Sequence, residues 1–71
     1  MTSKEIGQRI RHRRRLLKIN QTDLARLASC SKPFVVAAES GKPTLRLDKL
    51  LAVLEVLGLA LQIEDARAEE S

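Results

Sequence analysis

Apolar positions recur at helical intervals along most of the chain, and at a strand interval only near its end. Ile6, Ile10 and Leu17 fall at i, i+4 and i+11, one stripe of a helix capped by Ser3 and running to about Lys18. Asn20 can cap a second, short helix that opens Gln21-Thr22-Asp23, with Leu24, Ala25, Leu27 and Ala28 as its buried face. After a break at Ser29-Cys30-Ser31, Ser31 caps a third helix. Pro33 sits near its start, where a missing N–H does little harm. Ser40 ends that helix, and Gly41 supplies the left-handed residue beyond it. Leu47, Leu50, Leu51, Leu54 and Leu57 are spaced by three and four, a fourth helix that Gly58 stops.

From Leu59 the period changes to two: Leu59, Leu61 and Ile63 alternate with Ala60, Gln62 and Glu64, which predicts a short strand. One strand has nothing in this chain to pair with. Pairing with its own copy across a two-fold axis would satisfy its edge and join two protomers. The organisation expected is therefore a helical unit over 1–58, a dimerising strand over 59–64 and a polar tail over 65–71.

Length and charge narrow the function. A chain of 71 residues forms one small domain. Such a domain buries only about 60% of its unfolded surface, which makes the monomer marginal and favours a homo-oligomer. The net charge of +4 conceals a dipolar chain: residues 1–49 hold 12 basic and 4 acidic groups, whereas residues 50–71 hold 1 and 5. A basic half of this kind attracts polyanions, chiefly nucleic acid, although an arginine-rich helix can also be a solvated face. No apolar run is long enough to cross a bilayer, and none follows the basic start as a signal peptide would require. One cysteine, Cys30, allows no internal disulfide and points to a reducing, cytoplasmic setting. His12 stands among arginines without a Cys or carboxylate cluster, so neither a metal, a cofactor nor catalysis is expected.

Two short helices joined by a tight turn, the second capped by Ser and ended by Gly, form a helix-turn-helix pattern. The series Asn20-Gln21-x-x-Leu24-Ala25, Ser31, Val35-x-x-x-Glu39-Ser40-Gly41-Lys42 and the Leu-rich fourth helix resembles the XRE family of repressors related to lambdoid phage Cro and repressor proteins. The resemblance covers about residues 3–58. Beyond Glu39, the run Gly41-Lys42-Pro43-Thr44-Leu45-Arg46-Leu47-Asp48-Lys49-Leu50-Leu51, with Leu59-Ala60-Leu61-Gln62-Ile63, is similar to the HipB-like antitoxin branch. It implies an all-α, four- to five-helix, lambda-repressor-like domain with a short C-terminal β-strand pairing across a dimer.

The resemblance also assigns roles. It turns Lys32, Pro33, Phe34, Val36 and Ala37 of helix three toward DNA bases, and Val35 and Ala38 toward the core. Lys32 can donate to guanine, while Phe34, Val36 and Ala37 can only meet thymine methyls, so direct readout is thin and DNA shape carries more. The lesser alternative for Phe34 is a place in the core, where aromatics at helical spacing usually lie. Asn20 and Gln21 open helix two beside a phosphate, and Ser40, Lys42, Thr44 and Arg46 follow the backbone in the next loop. Gln21 could also be a neutral helix opener. Glu39 pairs with Arg14, which the resemblance further turns toward phosphate; Arg11 is a weaker candidate.

Phe34, Val36 and Ala37 depart from the family, many members of which place Gln, Ser, Asn or Arg there, and three further positions depart as well. Ser29 stands where relatives often carry Gly, Cys30 where they carry Val, and Arg46 where a capping Ser is common. A left-handed Ser29 would be strained by about 1 kcal/mol, and Cys30 reads as a small buried hydrophobe.

The function implied is a dimeric repressor on double-stranded inverted-repeat DNA, located on the nucleoid. The branch implies further that it neutralises a HipA-like serine/threonine kinase toxin and autoregulates its operon. A stand-alone or prophage regulator with no toxin is the alternative, as is an antitoxin that mainly binds protein and holds DNA weakly.

Overall fold

The structure, a computed structural model, describes residues 1–66. It is all-α over those residues, with α1 Ser3–Leu16, α2 Gln21–Leu27, α3 Lys32–Glu39 and α4 Leu47–Val56. The tail expected over 65–71 lies outside the described residues from 67 onward.

The helix starts follow local chemistry. Thr2, not Ser3, caps α1: its hydroxyl accepts from the Glu5 N–H at 3.1 Å, and the Glu5 carboxylate accepts from the Thr2 N–H at 2.9 Å. A glutamate three residues on favours Thr2, because only that register closes a reciprocal box. The Thr2 backbone bond, which favours the charged form, holds the Glu5 carboxyl below its ordinary range. Asn20 and Asp23 form the same box on α2, and Ser31 caps α3 through its bond from the Phe34 N–H, with Pro33 in the first turn.

All four helices end alike. In each, a residue with positive φ follows the C-cap, and the next N–H reaches back to the carbonyl three residues before the cap. The bonds are Ile19 to Arg14, Cys30 to Ala25, Lys42 to Ala37 and Leu59 to Leu54. This is the Schellman ending, in which glycine is favoured at the left-handed position. Gly41 (φ 85°) and Gly58 (φ 72°) meet that demand, whereas Lys18 (φ 59°) and Ser29 (φ 56°) fill it with side chains that dislike it. Apolar residues usually accompany the motif, and Ile19, Cys30 and Leu59 pack against the core from that position.

The core comprises Ile10, Leu24, Ala25, Ala28, Val35, Ala38, Leu50, Val53, Leu54 and Leu57. Four periodic positions lie exposed outside it. Leu17 is exposed because α1 has already ended, Leu27 is 53% exposed, and Leu47 and Leu51 lie on the outer side of α4. A stripe identifies a face; whether a neighbour covers its rim depends on helix crossing. Gly7 is buried instead, at the closest approach of α1 to α3. A Cβ there would collide with the Ala38 carbonyl oxygen and stand 2.7 Å from that of Glu39.

Residues 59–65 have no regular secondary structure in the single chain. The predicted strand is absent from the protomer, since a strand is defined by pairing and no other described segment is extended beside it. Leu59 docks on the core, while Ile63 is 99% exposed.

Candidate nucleic-acid interface

Helix α3 turns two residues fully inward and three fully outward, with the others between. Val35 and Ala38 are buried; Lys32, Pro33 and Val36 are exposed, and Ala37 is half-buried. Phe34 departs from a wholly outward reading, because it is half-buried and packs against the core. It lies one turn before Ala38, so its ring follows the same side of the helix. Only part of Phe34 faces outward with Val36 and Lys32.

What fixes α3 is the carboxylate at its last residue. Glu39 Oε2 accepts from Arg14 Nε at 2.6 Å, and Oε1 accepts from Arg14 Nη2 and from Gln21 Nε2, each at 3.1 Å. Arg14 Nη1 donates to the Ile19 carbonyl at 3.0 Å. One carboxylate thus ties α1, α2 and the intervening turn to α3. The Arg14 and Glu39 side chains are only 11% and 5% exposed, so this is a shielded, bidentate pair with its polar atoms matched. Burial pushes the Glu39 carboxyl upward, but the hydrogen bonds from Arg14 and Gln21 outweigh it and hold the group below its ordinary range. The same bond raises Arg14 against the opposing effect of burial. With three donors engaged and little surface, Arg14 is a clamp and offers little to a phosphate.

The loop after α3 is anchored from below. Gly41 passes so close to α1 that a Cβ would stand 2.8 Å from the Lys4 Cα. Leu45 packs on the core, which leaves Lys42 and Thr44 on the outside. Ser40 donates its hydroxyl proton to the Ala37 carbonyl at 2.9 Å and stays exposed. Arg46 occupies the N-cap position of α4 without capping it; its guanidinium holds Asp48 at 2.7 and 3.1 Å. That bond lowers the Asp48 carboxyl, whose charge stands in the first turn where the helix dipole favours it.

The assigned residues therefore form two groups. Lys32, Pro33, Phe34, Val36 and Ala37 share α3, with Ser40, Lys42 and Thr44 on the loop that continues it; Asn20 and Gln21 open α2, tied to the end of α3 through Glu39. Leu59, Leu61 and Ile63 lie at the other end of the sequence, on the segment leaving α4. Two contributors escaped sequence reasoning. Gly7 carried a signal, since a glycine inside a helix costs about 1 kcal/mol and implies a close approach. Arg13, whose Nε donates to the Leu57 carbonyl at 2.9 Å, was one arginine among several.

Among the described residues, no three His, Cys, Asp or Glu side chains gather where they could hold a metal, and Cys30 is a partly buried free thiol raised by that burial. Among the same residues no helix is long and apolar enough to cross a membrane.

Residues 5–69 match the family model of a helix-turn-helix domain. The chain is also 37% identical over 62 residues to an uncharacterized HTH-type transcriptional regulator, y4mF, of Sinorhizobium fredii (strain NBRC 101917 / NGR234). That similarity spans 87% of this chain and 82% of the relative.

Proposed function

The chain belongs to the helix-turn-helix domain family, and from that premise we propose that it is a sequence-specific, non-enzymatic DNA-binding transcriptional regulator. The observation that carries this reading is the Glu39 clamp, which presents α3 as a rigid outward ridge flanked by a basic loop. Helix α3 enters the major groove. Lys32 donates to guanine or to phosphate, while Val36, Ala37 and the outer part of Phe34 meet thymine methyls. Asn20, Gln21, Ser40, Lys42, Thr44 and Arg46 set the register along the phosphates, with Arg14 supporting them from within.

Two protomers, joined through Leu59, Leu61 and Ile63, read half-sites of an inverted repeat one or more helical turns apart. Gel-shift titration on DNA upstream of the gene tests this. Specific retardation is expected, with log affinity falling by about 0.9 per neutralised phosphate as log salt rises. Equal affinity for scrambled DNA at about 0.15 M salt overturns specific regulation.

The regulator has two forms that use α3 identically and differ in a partner. As a HipB-like antitoxin it also binds a HipA-like kinase toxin and represses their shared operon; as a stand-alone regulator it acts without one. The similarity of the loop and the final segment to that branch favours the first, and the helix-turn-helix match accommodates both. Co-purification with the product of the neighbouring gene separates them: a kinase-like protein that travels with the chain establishes the antitoxin, and its absence leaves the stand-alone form.

A further inference from the structure

The segment leaving α4 places an apolar knob beside an apolar socket. Leu59 is fixed at the end of α4, where its N–H donates to the Leu54 carbonyl at 2.8 Å and its side chain meets the core. A groove of about 330 Å³ opens there, lined by Met1, Ile6, Leu54 and Leu59–Gln62, with Arg9 as its one charged wall. Ile63 follows at once and is 99% exposed, with the acidic pair Glu64 and Asp65 behind it.

We propose that a second copy of this chain fills the groove in one defined register. Leu61 lies on the two-fold axis of an antiparallel strand pair, and each copy's Ile63 enters the other's groove beside Leu59. This rests on the dimeric regulator proposed above and specifies how its protomers meet.

Three features of the segment and its surroundings select that register. In a strand, Leu59, Leu61 and Ile63 share one face, and residues directly opposite in an antiparallel pair share it too. With Leu61 on the axis, Leu61 meets Leu61 and Leu59 meets Ile63, so every apolar residue finds an apolar partner. Moving the axis to Gln62 sets Leu59 against Asp65, and moving it to Ala60 sets Ile63 against Leu57, which is the C-cap of α4 and not extended.

Second, Leu59 already lines the groove, so whichever residue lies opposite it is delivered there.

Third, the same register carries Glu64 past the paired residues toward the end of α4 at Gly58, whose left-handed backbone (φ 72°) stands outside the strand. Arg13 is beside that glycine, its Nε bonded to the Leu57 carbonyl and its Nη2 3.5 Å from where a Gly58 Cβ would be. Arg9, one helical turn away, completes a basic pair facing the incoming acid. A two-fold interface makes each of these contacts twice.

Cysteine cross-linking in a Cys30→Ser background reads the register directly. Under mild oxidation the Leu61→Cys variant should link to itself, since facing residues on the axis bring their Cα atoms to about 4.5–5.5 Å, within disulfide range. Leu59→Cys and Ile63→Cys should link to each other when mixed, and slowly if at all to themselves. Faster self-linking of Gln62→Cys or Ile63→Cys overturns the register. In sedimentation, Ile63→Asp should raise the dimer Kd by more than about tenfold, as loss of two buried isoleucines requires. Its far-UV spectrum should be unchanged, because the side chain is exposed in the protomer. An undisturbed dimer overturns the groove.

Glu64→Arg should weaken association, and Arg9→Glu in the same chain should restore it; no restoration overturns the charge pairing. The two readings fail separately. Leu61 cross-links in a chain that ignores operator DNA defeat the regulator and keep the interface. Operator binding by an intact dimer without Leu61 cross-links defeats the interface alone.

Discussion

The end of α3 is tied to α1 and α2, whereas the segment after Gly58 is fixed only at its start, where Leu59 bonds back to α4. Around Glu39 no buried side-chain nitrogen or oxygen lacks a partner, and three helices converge on one carboxylate. Beyond Leu59, the apolar side chains of Leu61 and Ile63 stand in solvent beside an open groove. The difference separates two requirements. A reading helix must be stiff before it meets DNA, since any ordering left to that moment subtracts from affinity. A segment that joins two protomers, the role proposed for Leu59, Leu61 and Ile63, can stay incomplete until they meet.

The strongest test of the finished region is to unpair its charge. Glu39→Leu leaves Arg14 buried without its carboxylate and should cost about 3–5 kcal/mol, read as the loss of urea resistance. That is a large share of a small domain's stability of about 5–15 kcal/mol. Adding Arg14→Met should recover most of the loss.

Acid should probe the same pair. Glu39 has its folded pKa depressed, so its contribution is present above the ordinary glutamate range and disappears as pH falls through the folded value. Thermal melts from neutral to acid pH should show that decline, and the Arg14→Met, Glu39→Leu double variant should show less of it.

A smaller loss, about 1–3 kcal/mol, is expected from Gly7→Ala, because the methyl would press α1 away from the Ala38 and Glu39 carbonyls. Operator affinity should fall with it. In the opposite direction, Ser29→Gly should gain about 1 kcal/mol by relieving a left-handed residue, an increase that calorimetry would detect.

The unfinished region should answer least of all. Ile63→Ser in dilute, monomeric protein should shift stability by under about 0.5 kcal/mol. A larger loss would mean that Ile63 already supports the protomer, and the contrast between the regions would blur.

Legibility in the sequence follows how local each determinant is. Asn20, Ser31, Gly41 and Gly58 announce helix ends because capping involves residues a few positions apart. The same logic misses by one at Thr2, where Glu5 decides between adjacent hydroxyl residues. It also passes over Lys18, whose left-handed backbone belongs to no glycine. Periodicity finds the buried face of α4 through Leu50, Leu54 and Leu57, but it cannot tell that Leu47 and Leu51 stay uncovered. Phe34 shows the same limit, since a helix position on the border of two faces is settled by what packs beside it. Contacts between distant positions, such as Arg13 with Leu57, leave no local mark at all.

The way α3 is anchored bears on how such a domain diversifies. Its inward residues, Val35 and Ala38, and its last residue, Glu39, hold it in place, while Lys32, Val36 and the outer side of Ala37 take no part in that anchoring. Retargeting the helix to another operator is then a matter of exchanging outer side chains on an unchanged scaffold. The spare aliphatic surface of this α3 leaves room for polar substitutions that sharpen base discrimination, with the fold indifferent to the choice.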